Sequence, residues 1–217
     1  MEDKILNNFK LENNKKFPKL GNYIIPDFID TKVAVDLGAN NCLFTTKYHK
    51  KFDTIYFFEA SYMNFISGLA NVLSKGIKNS TGFNLAASNK SGEVIKIHSH
   101  INGDCGSNSI LEHKDINSND YHSVLSISFQ DIFNLINEEK INYLKIDIEG
   151  AEYQFIKNAD LSKVDSIGIE IHNNLGLEKM EEVRKKLSQT HELFSIKHAI
   201  PDICNEEATY VLKKFLQ

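Results

Sequence analysis

The chain is predicted to fold as an α/β protein, a mostly parallel sheet covered by helices on both faces. Three observations point there. Short apolar runs alternate with stretches of helical apolar period from Lys32 onward, the order expected when crossover helices join parallel strands. Gly38-Ala39-Asn40 follows one such run and precedes a helical stretch, a strand, small-residue turn and helix of nucleotide-binding type. Residues 144–152, Leu-Lys-Ile-Asp-Ile-Glu-Gly-Ala-Glu, form an apolar run with charge on alternate positions. Strand geometry puts Lys145, Asp147 and Glu149 on one face and Leu144, Ile146 and Ile148 on the other. Ionisable groups at the carboxyl end of a covered strand lie where α/β folds bind ligands.

The elements follow in order. Residues 1–30 are polar and irregular, with a short amphipathic stretch (Ile5, Leu6, Phe9) and prolines at Pro18 and Pro26. They form an N-terminal arm or cap, and residues 31–217 a single domain without internal repeat or linker. Val33–Leu37 is the first strand, 41–51 the first helix, Thr54–Phe58 the second strand and 62–75 the second helix. Gly82–Ala87 is strand-like, and Ser91-Gly92 turns the chain into a hairpin-like strand, Glu93–His98. Residues 99–122, rich in Asn, Ser, Asp, Gly and His, have almost no apolar period and make a long loop, the kind of segment that serves as a lid. Strand Val124–Ser128, a helix at 129–139, strand Asn142–Ile148, a helix from Ala151, strand Asp165–Ile171, a helix at 177–189 and strands near 193–199 and 208–213 complete the order.

Bulk properties narrow the function. At 217 residues the chain fits one domain that buries roughly 70% of its unfolded surface. A hydrophobic content of 41%, a charged content of 25% and a mean hydropathy of −0.32 are those of a soluble globular protein. Net charge is −4 and Arg184 is the only arginine, so the usual reader of phosphates and guanine edges is scarce and a nucleic-acid partner is disfavoured. Charges at Glu2, Asp3, Lys4, Lys10, Glu12, Lys15, Lys16 and Lys19 interrupt any signal-peptide core. No stretch approaches the roughly 20 apolar residues that span a bilayer, and Cys42, Cys105 and Cys204 lack metal-like spacing. A cytoplasmic protein is expected; its oligomeric state stays open, a homodimer being one option.

The turn after the first strand says which ligand it wants. A nicotinamide-binding turn uses G-x-G-x-x-G, but here Gly38 is followed by Asn40 and Leu43 at the other two positions. A pyrophosphate would sit near Asp36, whereas a cation would be attracted by it, at about 4 kcal/mol for a 4 Å contact at an effective dielectric near 20, before desolvation. S-adenosylmethionine (SAM), with its ammonium and sulfonium, fits that sign. Glu59, ending the second strand, is placed to take two ribose hydroxyls.

Four segments together resemble the FkbM family of SAM-dependent methyltransferases. They are Val35–Asn40, Phe58-Glu59-Ala60, Asn84–Ser88 with Ser91-Gly92-Glu93 after it, and Lys145–Glu152, in the order and approximate spacing of that family over about residues 32–172. The resemblance implies a Rossmann-like class I methyltransferase fold, with a mostly parallel seven-stranded sheet and a terminal antiparallel strand. It implies O-methylation of a hydroxyl on a saccharide, a glycan precursor or a small natural product. Asp36, Gly38 and Asn40 would line the methionine end of SAM, Glu59 and Ala60 the ribose side, and Ala86 or Ala87 the adenine edge. Ser109 lies in the small polar run Gly106–Ser109 and would be a further cofactor contact. The chain departs from the family at Cys42, where D-x-G-A-N-x-G has its second glycine, and at Ala60, where F-E-P has proline. Cys42 adds a side chain at a helix start near the cofactor; Ala60 costs turn rigidity.

Methyl transfer to oxygen needs two aligned partners and removal of one proton. Asp147, ending the fourth strand, is the leading base or orienting group, with Lys145 beside it. His172, after Glu170-Ile171 at the end of the next strand, titrates in the useful range and is a second candidate. Glu149 and Glu152 flank Gly150 and are candidate acceptor contacts, although an acid at a helix start also favours the dipole. Asp147, Glu149, Glu152 and His172 have the chemistry of a hard-metal site, but no metal is expected. Three rivals remain: an amino-sugar N-methyltransferase, a SAM-binding protein without catalysis, and a nicotinamide oxidoreductase.

Overall fold

The computed structural model describes residues 23–100, 116–198 and 205–216. Its centre is a seven-stranded sheet built from β1 (Val33–Leu37), β2 (Thr54–Phe58), β3 (Ser80–Phe83), β7 (Ile141–Ile146), β8 (Val164–Ile171), β9 (His191–His198) and β10 (Glu206–Leu212). The spatial order is β3-β2-β1-β7-β8-β10-β9, and β10 runs antiparallel to both β8 and β9. Chain order reverses between β1 and β7, and in open α/β sheets ligands bind at the carboxyl ends beside such a reversal.

Helices α3 (Phe129–Ile136), α4 (Glu152–Ile156) and α5 (Leu177–Ser188) cover one face. Phe133, Ile156 and Val183 from these helices bury against Val35, Leu144 and Ile169 of the strands. Side chains of this size each contribute about 1.5–3 kcal/mol on full burial. The opposite face is covered by α1 (Leu43–Tyr48), α2 (Tyr62–Ser74) and the extended segment before β1, whose Tyr23, Ile25 and Ile29 pack with Phe44, Phe52 and Tyr143. Apolar residues on both faces of β1 are what a strand buried on both sides requires.

The elements differ from those expected of the sequence in three places. The strand-like stretch Gly82–Ala87 is two elements: β3 ends at Phe83 in the main sheet, and β4 (Ala86–Ala87) belongs to a second sheet of order β4-β6-β5. Residues 116–122 are not loop, because β6 (Ile116–Ile127) pairs antiparallel with β5 (Val94–His100). The fourth strand of the main sheet stops at Ile146 rather than Ile148, and Glu149 (φ 54°) and Gly150 (φ 96°) take left-handed conformations. The same-face alternation therefore holds for Lys145 and Asp147 and breaks at Glu149. The rest of the expected long loop and most of the N-terminal arm lie outside the described residues.

Candidate active site

The turn after β1 is wound tightly. Gly38, Asn40 and Cys42 all have positive φ, at 71°, 49° and 59°. Gly38 is needed twice over: a Cβ would be strained there and would collide with the backbone carbonyl of Asp147. The amides of Gly38 and Ala39 both donate to the Phe58 carbonyl at 3.0 Å, and that of Cys42 to Ala39 at 2.7 Å. The Asn40 amide donates to Glu59 Oε2 at 2.7 Å, and Ser61 donates its amide to Oε1 at the same distance. These four amides are spent within the protein and are not free for a phosphate. Burial pushes the Glu59 carboxyl up to about 7, against the pull of the Ser61 and Asn40 amides. Each oxygen of Glu59 keeps a lone pair for a hydroxyl.

Cys42, the departure from the family glycine, is fully buried and turned away from the turn's ligand side, among Ala39, Phe57, Val72 and Ile77. Gly68 of α2 makes the space, since a Cβ there would lie 2.5 Å from Cys42 Sγ. The expected approach of this thiol to the cofactor is therefore replaced by packing against α2. Burial raises its pKa, so it stays a neutral thiol.

Beside the turn, Asp36 and Lys145 face each other across β1 and β7, in register in the sheet. Lys145 Nζ lies 3.1 Å from Asp36 Oδ1 and 3.4 Å from Asp147 Oδ2, and donates to the Gly38 carbonyl at 3.0 Å. Burial works against its charge, but the Asp36 and Asp147 carboxylates outweigh it and hold the ammonium above its ordinary pKa. Burial raises the Asp36 pKa while Lys145 pulls it down. Thr45 donates to Asp36 Oδ2 at 3.3 Å. With 3% and 0% of their surfaces accessible, Lys145 and Asp36 support the site from beneath. Lys145, a catalytic candidate beside Asp147 in the sequence, is here buried and ion-paired with both carboxylates.

At the ends of β7 and β8, four carboxylates surround one imidazole. His172 Nδ1 bonds Glu152 Oε1 at 2.8 Å; its Nε2 lies 3.2 Å from Glu149, 3.8 Å from Glu170 and 3.9 Å from Asp147 Oδ1. Burial would lower its pKa, but Glu152 and Glu149 raise it well above the ordinary value, so the ring carries a proton at neutral pH. A protonated imidazole donates rather than accepts, which removes His172 as a general base in this state. Glu152 has no accessible surface and its Oε1 also accepts the amides of Ile148 and Gly150, so it braces the turn instead of facing an acceptor. Asp147, Glu149 and Glu170 keep about a quarter of their side chains accessible, at 24%, 28% and 20%. Burial pushes Glu170 up to about 7. One ligand atom each from Asp147, Glu170 and His172 lie within 4.8 Å of one another, a spacing a metal ion accepts.

Sequence reasoning missed Glu170 and Tyr23. Glu170 was readable from its place near the end of β8, two residues before His172; Tyr23, whose hydroxyl donates to Asp147 Oδ2 at 3.2 Å, carried no local signal. Ala60 accepts at its carbonyl from Asn84 at 3.1 Å, with His122 Nε2 at 3.2 Å. Ala86 and Ala87 bury their methyls in two separate cores. Ser109 lies outside the described residues.

Comparison with solved structures places this architecture among the Rossmann-like methyltransferases. A methyltransferase FkbM from Methylobacillus flagellatus KT aligns with a TM-score of 0.56 at 18% identity, over 86% of this chain and 45% of that one. A putative methyltransferase from Streptococcus mutans, SMU.1697c, in complex with S-adenosylhomocysteine (SAH), aligns with a TM-score of 0.54 at 12% identity, over 85% of this chain and 90% of that one. TrmK of M. capricolum, with SAH, gives 0.50 at 11% identity over 85% and 64%. The chain spans less than half of the Methylobacillus protein. No curated protein matches. The methyltransferase FkbM domain matches residues 34–196, well over half of the chain. The chain belongs to the FkbM methyltransferase family.

Proposed function

We propose that the chain is an O-methyltransferase that moves a methyl group from SAM to a hydroxyl of a saccharide, a glycan precursor or a small natural product. The observation that carries the reading is the partly accessible carboxylate of Asp147 beside a turn in which the amides of Gly38, Ala39, Asn40 and Cys42 are taken. The accessible acids fit a cation: Asp147, Glu149 and Glu170 keep part of their side chains open, while the buried Asp36 is already paired with the Lys145 ammonium.

SAM supplies an electrophilic methyl on a sulfonium. Asp36, Gly38 and Asn40 form the methionine end of its site, with Asp36 acting through Lys145 and the shape of the turn. Glu59 takes ribose hydroxyls on its free lone pairs with Ala60 beside it, and Ala86 and Ala87 lie toward the adenine side. Asp147 orients the acceptor hydroxyl and takes its proton through Oδ1. His172, as imidazolium, holds Glu149 and Glu152 in place, and Glu149 faces the acceptor. Three accessible acids on the acceptor side also favour an amine, and N-methylation of an amino sugar is the second reading.

Methyl-labelled SAM, offered with neutral saccharides, small phenols and amino sugars, tests both. Label recovered as O-methyl supports the first reading; label found solely on nitrogen establishes the second. Asp147→Asn is expected to lower turnover by about 100-fold or more, the usual weight of a positioned base, with SAH affinity retained. His172→Ala should cost less.

A further inference from the structure

Tyr23 precedes the stretch matched to the family and has no part in the roles above. It is 5% exposed, and its ring centre lies 5.6 Å from Lys145 Nζ. Its seat is built by β8, where a Cβ on Gly168 would come within 3.0 Å of Tyr23 Cδ1. The chain around it is tied down from several sides. The Tyr48 hydroxyl donates to the Tyr23 carbonyl at 3.5 Å, and Lys51 donates to the Ile25 carbonyl at 3.3 Å. The Ile24 amide donates to Thr209 Oγ1, and the Thr209 hydroxyl faces the Ile24 carbonyl, both at 3.4 Å.

We propose that Tyr23 is a positioning residue for Asp147, holding one carboxylate oxygen so that the other is presented to the acceptor hydroxyl. The two oxygens of Asp147 are unequal. Oδ2 accepts from Tyr23 at 3.2 Å and lies 3.4 Å from Lys145 Nζ. Oδ1 has His172 Nε2 at 3.9 Å, beyond hydrogen-bond range. Lys145 does not orient the carboxylate by itself, because its ammonium is shared with Asp36 and the Gly38 carbonyl. Tyr23 supplies a second, directional donor from an anchored segment. A carboxylate gripped at one oxygen by two donors turns only by breaking both, so Oδ1 keeps the fixed direction that an in-line transfer demands. The family-matched region thus borrows part of its site from the segment ahead of it.

The inference rests on the base role of Asp147, and the test separates the two. With tyrosine labelled at Cζ, the Tyr23 resonance is assigned by its loss in Tyr23→Phe and followed through an alkaline titration in wild type and Asp147→Asn. Burial and then Asp147 hold this phenol well above its ordinary pKa, so Asp147→Asn should bring its titration midpoint down. In the second arm, Tyr23→Phe keeps the ring on Gly168, and SAH affinity should stay within about twofold of wild type. Its kcat on the acceptor found by the panel above should fall about tenfold or more, with KM for SAM unchanged. A Tyr23 resonance indifferent to Asp147→Asn, or wild-type kcat in Tyr23→Phe, overturns the proposal. Full turnover in Asp147→Asn instead removes the base role of Asp147, while the spectroscopic coupling is judged independently of it.

Discussion

Glu59 does two things at the end of β2, and only one of them was legible in the sequence. An acid at that position predicts contact with ribose hydroxyls; that its oxygens also accept the Asn40 and Ser61 amides depends on the left-handed turn, which no residue pattern reveals. Burial sets its pKa at about 7, well above an ordinary carboxylate, so protons are bound by the folded state that the unfolded chain would release. The sign follows: Glu59 costs stability as pH rises from the carboxylate range to about 7 and has no further effect above it. Hydroxyls donate better to the ionised form, so SAH affinity should rise about tenfold between pH 6 and 8, as the ionised fraction does. Calorimetry across that range should find the rise in wild type and a flat profile in Glu59→Gln. Gly38 makes a second prediction at this scale. Gly38→Ala meets both a positive φ and the Asp147 carbonyl, and chemical denaturation should show a loss of about 3 kcal/mol or more.

Among the elements, the turn and α2 are coupled through Cys42 and Gly68. A side chain where φ is 59° costs about 1–2 kcal/mol, and the thiol recovers part of that by filling the space Gly68 leaves. Gly68→Ala should destabilise by about 1–3 kcal/mol, and by less in a Cys42→Gly background. The double variant should not recover fully, since the Asn40 carbonyl also lies 2.8 Å from the added methyl. Equal losses in both backgrounds would show the two positions to be independent. Strands with consecutive apolar residues, such as Val33–Leu37 and Thr54–Phe58, were legible to the residue, because burial on both faces writes itself into composition. The first half of β6 was not. Its sequence from Ile116 to His122 is polar and non-alternating, and its strand form goes with its pairing to β5. The end of β7 was misplaced for a related reason: Ile148 continues the apolar pattern, but left-handed residues at 149 and 150 turn the chain first.

At the level of the whole molecule, the sheet order brings the ends of β2, β1, β7 and β8 side by side, and with them Glu59, Asp36, Asp147 and His172. The sequence supplied each of these residues; adjacency of β7 to β1 came only with the resemblance, because crossover topology is not encoded in any local spacing. No helix among the described residues is long and apolar enough to cross a membrane. Metal-free catalysis is expected, so turnover should survive dialysis against EDTA; a loss restored by a divalent cation would assign one to Asp147, Glu170 and His172. The most direct test of the account is calorimetry of the purified chain with SAM, SAH and NAD side by side. The acids beside a turn with four of its amides spent predict saturable binding of SAM and SAH and none of NAD. Binding of NAD without either adenosyl sulfur compound would contradict it.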